Sequence, residues 1–357
     1  MTTLDGLLPE LEVVRKDFPI LERTLAGGVP LVYLDSANTS QKPQVVIDTM
    51  VDHLERHNAN IARAMHQLGA ESTAAYEAAR DQVARFIGAP SRNEVVFTKN
   101  ATEALNLLAR TIELAPGDNV VITEMEHHSN IVSWQLACER SGAELRWFGL
   151  TDDGYLDLSN AEQLIDEHTK VVAFTWVSNM LGTVNPVADL AARARTVGAY
   201  SVIDASQAAP QLPVDVAATG ADFLVFTGHK CVGPTGIGVL WGREELLNEL
   251  PPFHGGGEMI ETVTMERSTY AKAPHRFEAG TPPIVEAVGL GAAVEYLGHL
   301  GMDIVHAHEQ AITAYALEGL QTVRGLTVLG PLAAADRGGA ISFELDGVHP
   351  HDVATVL

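Results

Sequence analysis

KVVAFTWVSNMLGTVNPVADLAARARTVGAYSVIDAS, residues 170–206, decides the fold. An apolar, β-branched run (170–178) gives way to the helical periodicity of VADLAARARTVG, and a second apolar run, YSVIDAS (200–206), follows. Neither run alternates with polar residues, as expected of strands covered on both faces in a parallel sheet. The rhythm extends both ways from here. Upstream, EVVFT (94–98) leads into TEALNLLARTI, NVVITEM (119–125) into SNIVSWQLACERSG, and AELRWFGL adds a strand. Downstream come DFLVFTG (222–228) and GIGVLW (236–241). The spacing predicts an α/β domain on a mostly parallel, seven-stranded central sheet flanked by helices.

Two helices precede these strands. Ile47, Met50, Val51 and Leu54 recur at helical spacing, as do Ala79, Val83, Phe86 and Ile87, with Gly88 placed to end the second. From about Leu290 a helical stretch followed by strands LTVLG and AISFEL predicts a smaller α+β domain. The expected division is an N-terminal segment over 1–35 packing on the small domain, a large domain over 36–290, and a partial small domain over 291–357. GVHPHDVATVL begins a helix that nothing caps, so the fold is expected to continue past Leu357.

Composition narrows the function. Lys and Arg number 23 against 46 Asp and Glu, a formal charge of -23 that disfavours nucleic acid. Cys138 and Cys231 are the only cysteines, too few for a disulfide framework and without zinc-ligand spacing. The N-terminus lacks a signal peptide's apolar core, and no apolar run approaches a membrane span. The expectation is a soluble, cytoplasmic protein with no metal.

In parallel sheets the chemistry gathers beyond the carboxyl ends of the strands. After EVVFT, Asn100, Ala101 and Thr102 open a helix whose free N–H groups form an anion site, although Thr102 equally suits a plain cap. In EHHSN (126–130) adjacent histidines rarely face one ion together, and a flat imidazole stacked on a planar ring fits better, with a plain surface histidine as the alternative. Asp204 ends an apolar strand and needs a cation or donor, or caps the next helix; Gln207 follows it. Lys230, in FTGHKCVGPTG, places an amine between a strand and a glycine-rich loop, flanked by Thr227 and His229. A buried lysine is the nucleophile that forms a Schiff base with an aldehyde. Lysine, carboxylate and phosphate cradle together are the requirements of pyridoxal phosphate (PLP). Phosphate-loop and nucleophile-elbow motifs are missing from the sequence, VGLGAAV (288–294) follows no strand, and the HAH of 306–308 reads as a solvated helix face.

Longer matches run from YLDSANTSQKP (33–43) through EHHSNIVSWQ (126–135), VSNMLGTVNP (177–186), IDASQAAP (203–210) and TGHKCVGPTGIGVL (227–240) to FHGGGEMI (253–260) and RFEAGTP (276–282). In these the chain resembles the class V aminotransferase-fold PLP enzymes of transferase fold type I, and most closely the SufS-type cysteine desulfurases. The resemblance implies that Lys230 carries the cofactor and moves the substrate α-proton, Asp204 pairs with the ring nitrogen, and His127 stacks on the ring. It assigns Ala101, Thr102, Thr227 and His229 to the phosphate, and Gln207 and Asn179 to the phenolic oxygen and its surroundings. Thr281 would reach the cofactor of a second subunit in a homodimer, and Arg63 and His66 would lie near the substrate mouth. The implied reaction takes sulfur from L-cysteine, leaves L-alanine, and hands an enzyme persulfide to an acceptor protein for iron–sulfur assembly. Selenocysteine lyases, epimerases, aminotransferases and non-catalytic binders share the fold. The family's nucleophilic cysteine, in an R-x-G-x-H-C-like motif, would fall beyond Leu357, so the 357-residue form is expected to be inactive. Cys231, next to the lysine, would point away from it, and Cys138 would be core. Ala62, Ala64 and Asn38 depart from the family pattern.

Overall fold

A computed structural model of the chain describes residues 13–62 and 65–356. Helix α1 (Gln44–Asp52) starts behind Pro43 and runs into a wide turn, His53–His57. Helix α2 (Gln67–Phe86) is capped by His66, whose Nδ1 accepts from Gly69 N, and ends at Gly88 with φ +67°. The sheet elements follow: β1 (Val95–Thr98), α3 (Ala101–Thr111), β2 (Asn119–Thr123), α4 (His128–Ser141), β3 (Glu144–Phe148), β4 (Thr169–Thr175), α5 (Val187–Thr196), β5 (Tyr200–Asp204), β6 (Phe223–Thr227) and β7 (Gly238–Gly242).

These strands form one seven-stranded sheet in the order β1-β7-β6-β5-β4-β2-β3. Only β7 runs against the others, antiparallel to both β6 and β1. The continuous apolar runs are explained by two cores. Val172 and Phe174 face one, with α2 and α5, while Val171 and Ala173 face the other, with α3 and α4. Each fully buried Val, Leu or Phe contributes about 1.5–3 kcal/mol, so both faces favour the sheet.

Beyond the sheet come α6 (Glu244–Glu249), an exposed hairpin of β8 (Ile260–Val263) and β9 (Ser268–Tyr270), α7 (Ile284–Leu300), α8 (Met302–Gln321), the antiparallel pair β10 (Leu326–Leu329) and β11 (Ser342–Leu345), and α9 (Pro350–Val356). Helix α7 runs unbroken across the boundary drawn at 290/291 and packs on α1 and α2. Its VGLGAAV glycines serve helix packing: a Cβ on Gly291 would meet Gln82 Oε1 at 2.3 Å and Ala79 Cα at 2.9 Å. Of the N-terminal segment, residues 1–12 lie outside the described residues. Asp17 accepts from Tyr296 Oη at 2.7 Å, and Phe18 meets the same ring edge-on, so this segment rests on α7.

Val46 is the buried residue of α1, whereas Ile47, Val51 and Leu54 are 37%, 45% and 54% exposed. Periodicity located the apolar residues, and the described residues leave Ile47, Val51 and Leu54 uncovered.

Candidate active site

The ends of β1, β2, β4, β5 and β6 surround a cavity of about 220 Å³. Gly238 makes its floor possible. It pairs with both Thr98 and Thr227, and a Cβ there would sit 2.4 Å from Asn100 C and 2.8 Å from Ala101 N. The start of α3 therefore lies directly on the sheet. Asn100, rather than Thr102, caps this helix, its Oδ1 accepting from Glu103 N at 2.9 Å. Thr102 is left exposed in the first turn, where helix N–H groups have no intrahelical acceptor. Opposite, Thr227 Oγ1 is buried with no hydrogen-bond partner among the described residues. Leaving a buried hydroxyl unpaired costs about 1–3 kcal/mol, which marks it as a donor waiting for an acceptor.

Asp204, 4% exposed at the end of β5, accepts from Ser206 N at 2.9 Å and has no cation within ion-pair distance among the described residues. Lys230 lies in the turn Gly228–Lys230 on the same cavity. Burial draws its amine below the ordinary lysine pKa, against the opposing pull of Asp204 and then Cys231. His127 caps α4, its Nδ1 paired with Ser129 Oγ at 2.7 Å. Burial also lowers its pKa, Asp204 opposing and Lys230 reinforcing, which favours a neutral ring. His229 is lowered by burial and then by Lys230 and Lys42. Gln207 Nε2 donates to Ala37 O at 2.8 Å, which ties the site to the loop before α1.

Ala101, Thr102, His127, Asn179, Asp204, Gln207, Thr227, His229 and Lys230 thus line one cavity. Thr281 does not; it is exposed in the loop before α7. His66 is exposed as the cap of α2, away from the cavity, and Arg63 lies outside the described residues. A second cavity of about 750 Å³ shares Asn38, Asn179, Gln207 and Lys230 with the first and opens between the N-terminal segment, α7 and α8. The HAH segment contributes to its wall. His308 Nδ1 is buried without a partner there, so this residue is not on a solvated face.

Sequence reasoning missed several neighbours. Asn38, Ser129, Thr175 and Ser206 line the small cavity. Behind His127 sits Glu126, accepting from Thr123 Oγ1 at 2.5 Å, Asn130 Nδ2 at 2.7 Å and Thr175 N at 2.8 Å. Its signal was an acid three residues past a strand end, masked by the histidine pair beside it. Cys231 and Cys138 are both buried; burial pushes their thiols up to about 12 and about 11, so both stay protonated. The described residues contain no cluster of metal-ligating side chains.

An unpartnered buried hydroxyl, a helix start seated on the sheet, a carboxylate without a cation and a lysine biased toward its free base fit PLP in kind and placement. The comparisons agree. Residues 32–357 match the family model for aminotransferase class-V, and the chain belongs to that PLP-dependent family. A probable cysteine desulfurase of Streptomyces coelicolor is 61% identical over 364 residues, covering 100% of this chain and 87% of the relative. A cysteine desulfurase of Haloferax volcanii is 48% identical, covering 98% and 85%. The apo structure of a cysteine desulfurase from Thermococcus onnurineus NA1 superposes with a TM-score of 0.91 at 39% identity, covering 97% of this chain and 84% of that one. Within the family, its place is among the cysteine desulfurases.

Proposed function

We propose that the protein takes sulfur from free L-cysteine, leaves L-alanine, and passes the sulfur to a thiol acceptor of a cytoplasmic iron–sulfur assembly system. The observation that carries this reading is the convergence of Lys230, Asp204 and the unpartnered Thr227 hydroxyl on one cavity. The relatives' names supply the reaction class.

In this reading Thr227, His229, Thr102 and the Ala101 N–H hold the cofactor phosphate, His127 lies against the ring, and Gln207 and Asn179 address its phenolic oxygen. When bound, PLP supplies an aldehyde that captures amines and a ring that accepts a carbanion's electron pair. Asp204, with no cation within ion-pair distance among the described residues, would pair with the ring nitrogen when the cofactor is bound. Lys230 Nζ, biased toward the neutral amine, is a competent nucleophile and afterwards a base for the α-proton. The larger cavity meets the smaller one at Lys230 and gives cysteine its approach. Since both cysteines of the sequence are buried and protonated, the thiol that receives sulfur is neither Cys138 nor Cys231. Thr281, exposed and outside the cavity, suits a contact with a second subunit, which supports a homodimer.

Borohydride reduction of the PLP-loaded protein, followed by peptide mass mapping, tests the assignment. The cofactor mass is expected on Lys230. Its appearance on another lysine would sink the reading.

A further inference from the structure

Four donors converge on one peptide oxygen beneath Lys230. The His229 carbonyl accepts from Ser40 N at 3.0 Å, Ser40 Oγ at 2.9 Å, Thr39 Oγ1 at 3.2 Å and Lys42 Nζ at 3.0 Å. A carbonyl oxygen has only two lone pairs, so this one is held beyond what a turn requires. The Ser40 hydroxyl also spans the turn, accepting from Val232 N at 2.9 Å. Val232 has φ +48°, a left-handed conformation that a β-branched residue avoids and that persists where its surroundings over-determine it. Lys42 is equally unusual. Its amine is directed at Ser40 O, Ser40 Oγ and the His229 carbonyl, and burial lowers its pKa to about 8, Cys231 opposing.

In the proposed reaction the Lys230 amine leaves and regains its place in every cycle, so the backbone under it has to stay still. We propose that Ser40 and Lys42 are positioning residues for Lys230. They clamp the His229–Lys230 peptide and the Val232 turn, and the amine returns to a single place in the cavity. This role presupposes Lys230 as the cofactor lysine.

The test uses the full chain loaded with PLP and needs no turnover. Its readouts are the visible circular dichroism of the bound cofactor, the rate of cofactor loss into a trapping protein, and the borohydride-labelled peptide. For Lys42→Met the expected result is an altered visible dichroism band and cofactor loss about tenfold faster, the scale of one charge-assisted hydrogen bond. Ser40→Ala keeps the Lys42 charge and is expected to act in the same direction; it decides the matter if Lys42→Met does not fold. A purely structural role would shift unfolding of the apoprotein while leaving dichroism and loss rate as in the wild type, and that result overturns the clamp. Label on a lysine other than Lys230 in the wild type overturns the lysine assignment itself, and the clamp with it.

Discussion

Glu126 is a carboxyl group sealed behind the catalytic strand ends, with three donors around it and no cation. Burial dominates its chemistry and raises its pKa to about 7, the donors and Asp204 making smaller contributions. An acid raised in the folded state binds more protons there than in the unfolded chain between its two pKa values. Its contribution to stability is therefore present below about 4.5 and lost as pH rises toward about 7. The loss at full ionisation is roughly 3–4 kcal/mol, from about 1.4 kcal/mol per pKa unit. Urea unfolding at pH 5 and at pH 7.5 is expected to show this slope in the wild type and a flatter one in Glu126→Gln, whatever the variant's baseline. Parallel slopes would show that Glu126 is ionised throughout. At this scale the sequence was informative where a residue ended a buried strand. Lys230, Asp204 and His127 stood out because polar groups at such positions need a partner. Glu126, Ser40 and Lys42 did not: Glu126 was masked by the histidines beside it, and Ser40 and Lys42 meet the His229 carbonyl only through the fold, a meeting that no spacing in the chain encodes.

Among the elements, β7 and α3 define the cradle, and Gly238 is the contact between them. An alanine there has to displace backbone atoms of Asn100 and Ala101 rather than a flexible side chain. Gly238→Ala is expected to lose about 3 kcal/mol by overpacking and to weaken PLP binding together with stability. Gly298→Ala provides the contrast. Gly298 is exposed on α7, its Cβ would meet nothing within 4 Å, and helix propensity predicts a gain of about 0.5–1 kcal/mol with unchanged PLP affinity. Denaturant midpoints and PLP titrations on the pair separate a local cradle from general glycine effects. The sheet strands were legible because covered faces leave unbroken apolar runs. The β8–β9 hairpin was not, since its strands are largely exposed and follow a glycine-rich stretch. RFEAGTP was visible as a motif, but its architecture was not. Arg276 donates to Ala271 O, Asn248 O and Leu250 O, while Glu278 accepts from buried Arg80, Tyr76 Oη and Phe97 N. These bonds tie the loop that presents Thr281 to α2 and β1.

For the whole molecule, the informative mismatch is the outer face of α1. Ile47, Val51 and Leu54 recur at helical spacing and yet are exposed in the single chain. An exposed apolar face of this kind is unusual on a monomer, and another molecule is expected to cover it. A second copy of the chain is the expected occupant under the proposed function, since it would also give a role to Thr281, which is exposed and does not line its own cavity. Light scattering after size exclusion is expected to give about twice the chain mass of 38.2 kDa. Ile47→Glu combined with Val51→Glu puts charges into that face and is expected to shift the protein to monomer. Thr281→Ala is expected to leave the dimer intact and weaken PLP binding severalfold, on the scale of one hydrogen bond to a phosphate. A wild type that is monomeric at micromolar concentration would refute the shared site. So would a Thr281→Ala protein that binds PLP as tightly as the wild type.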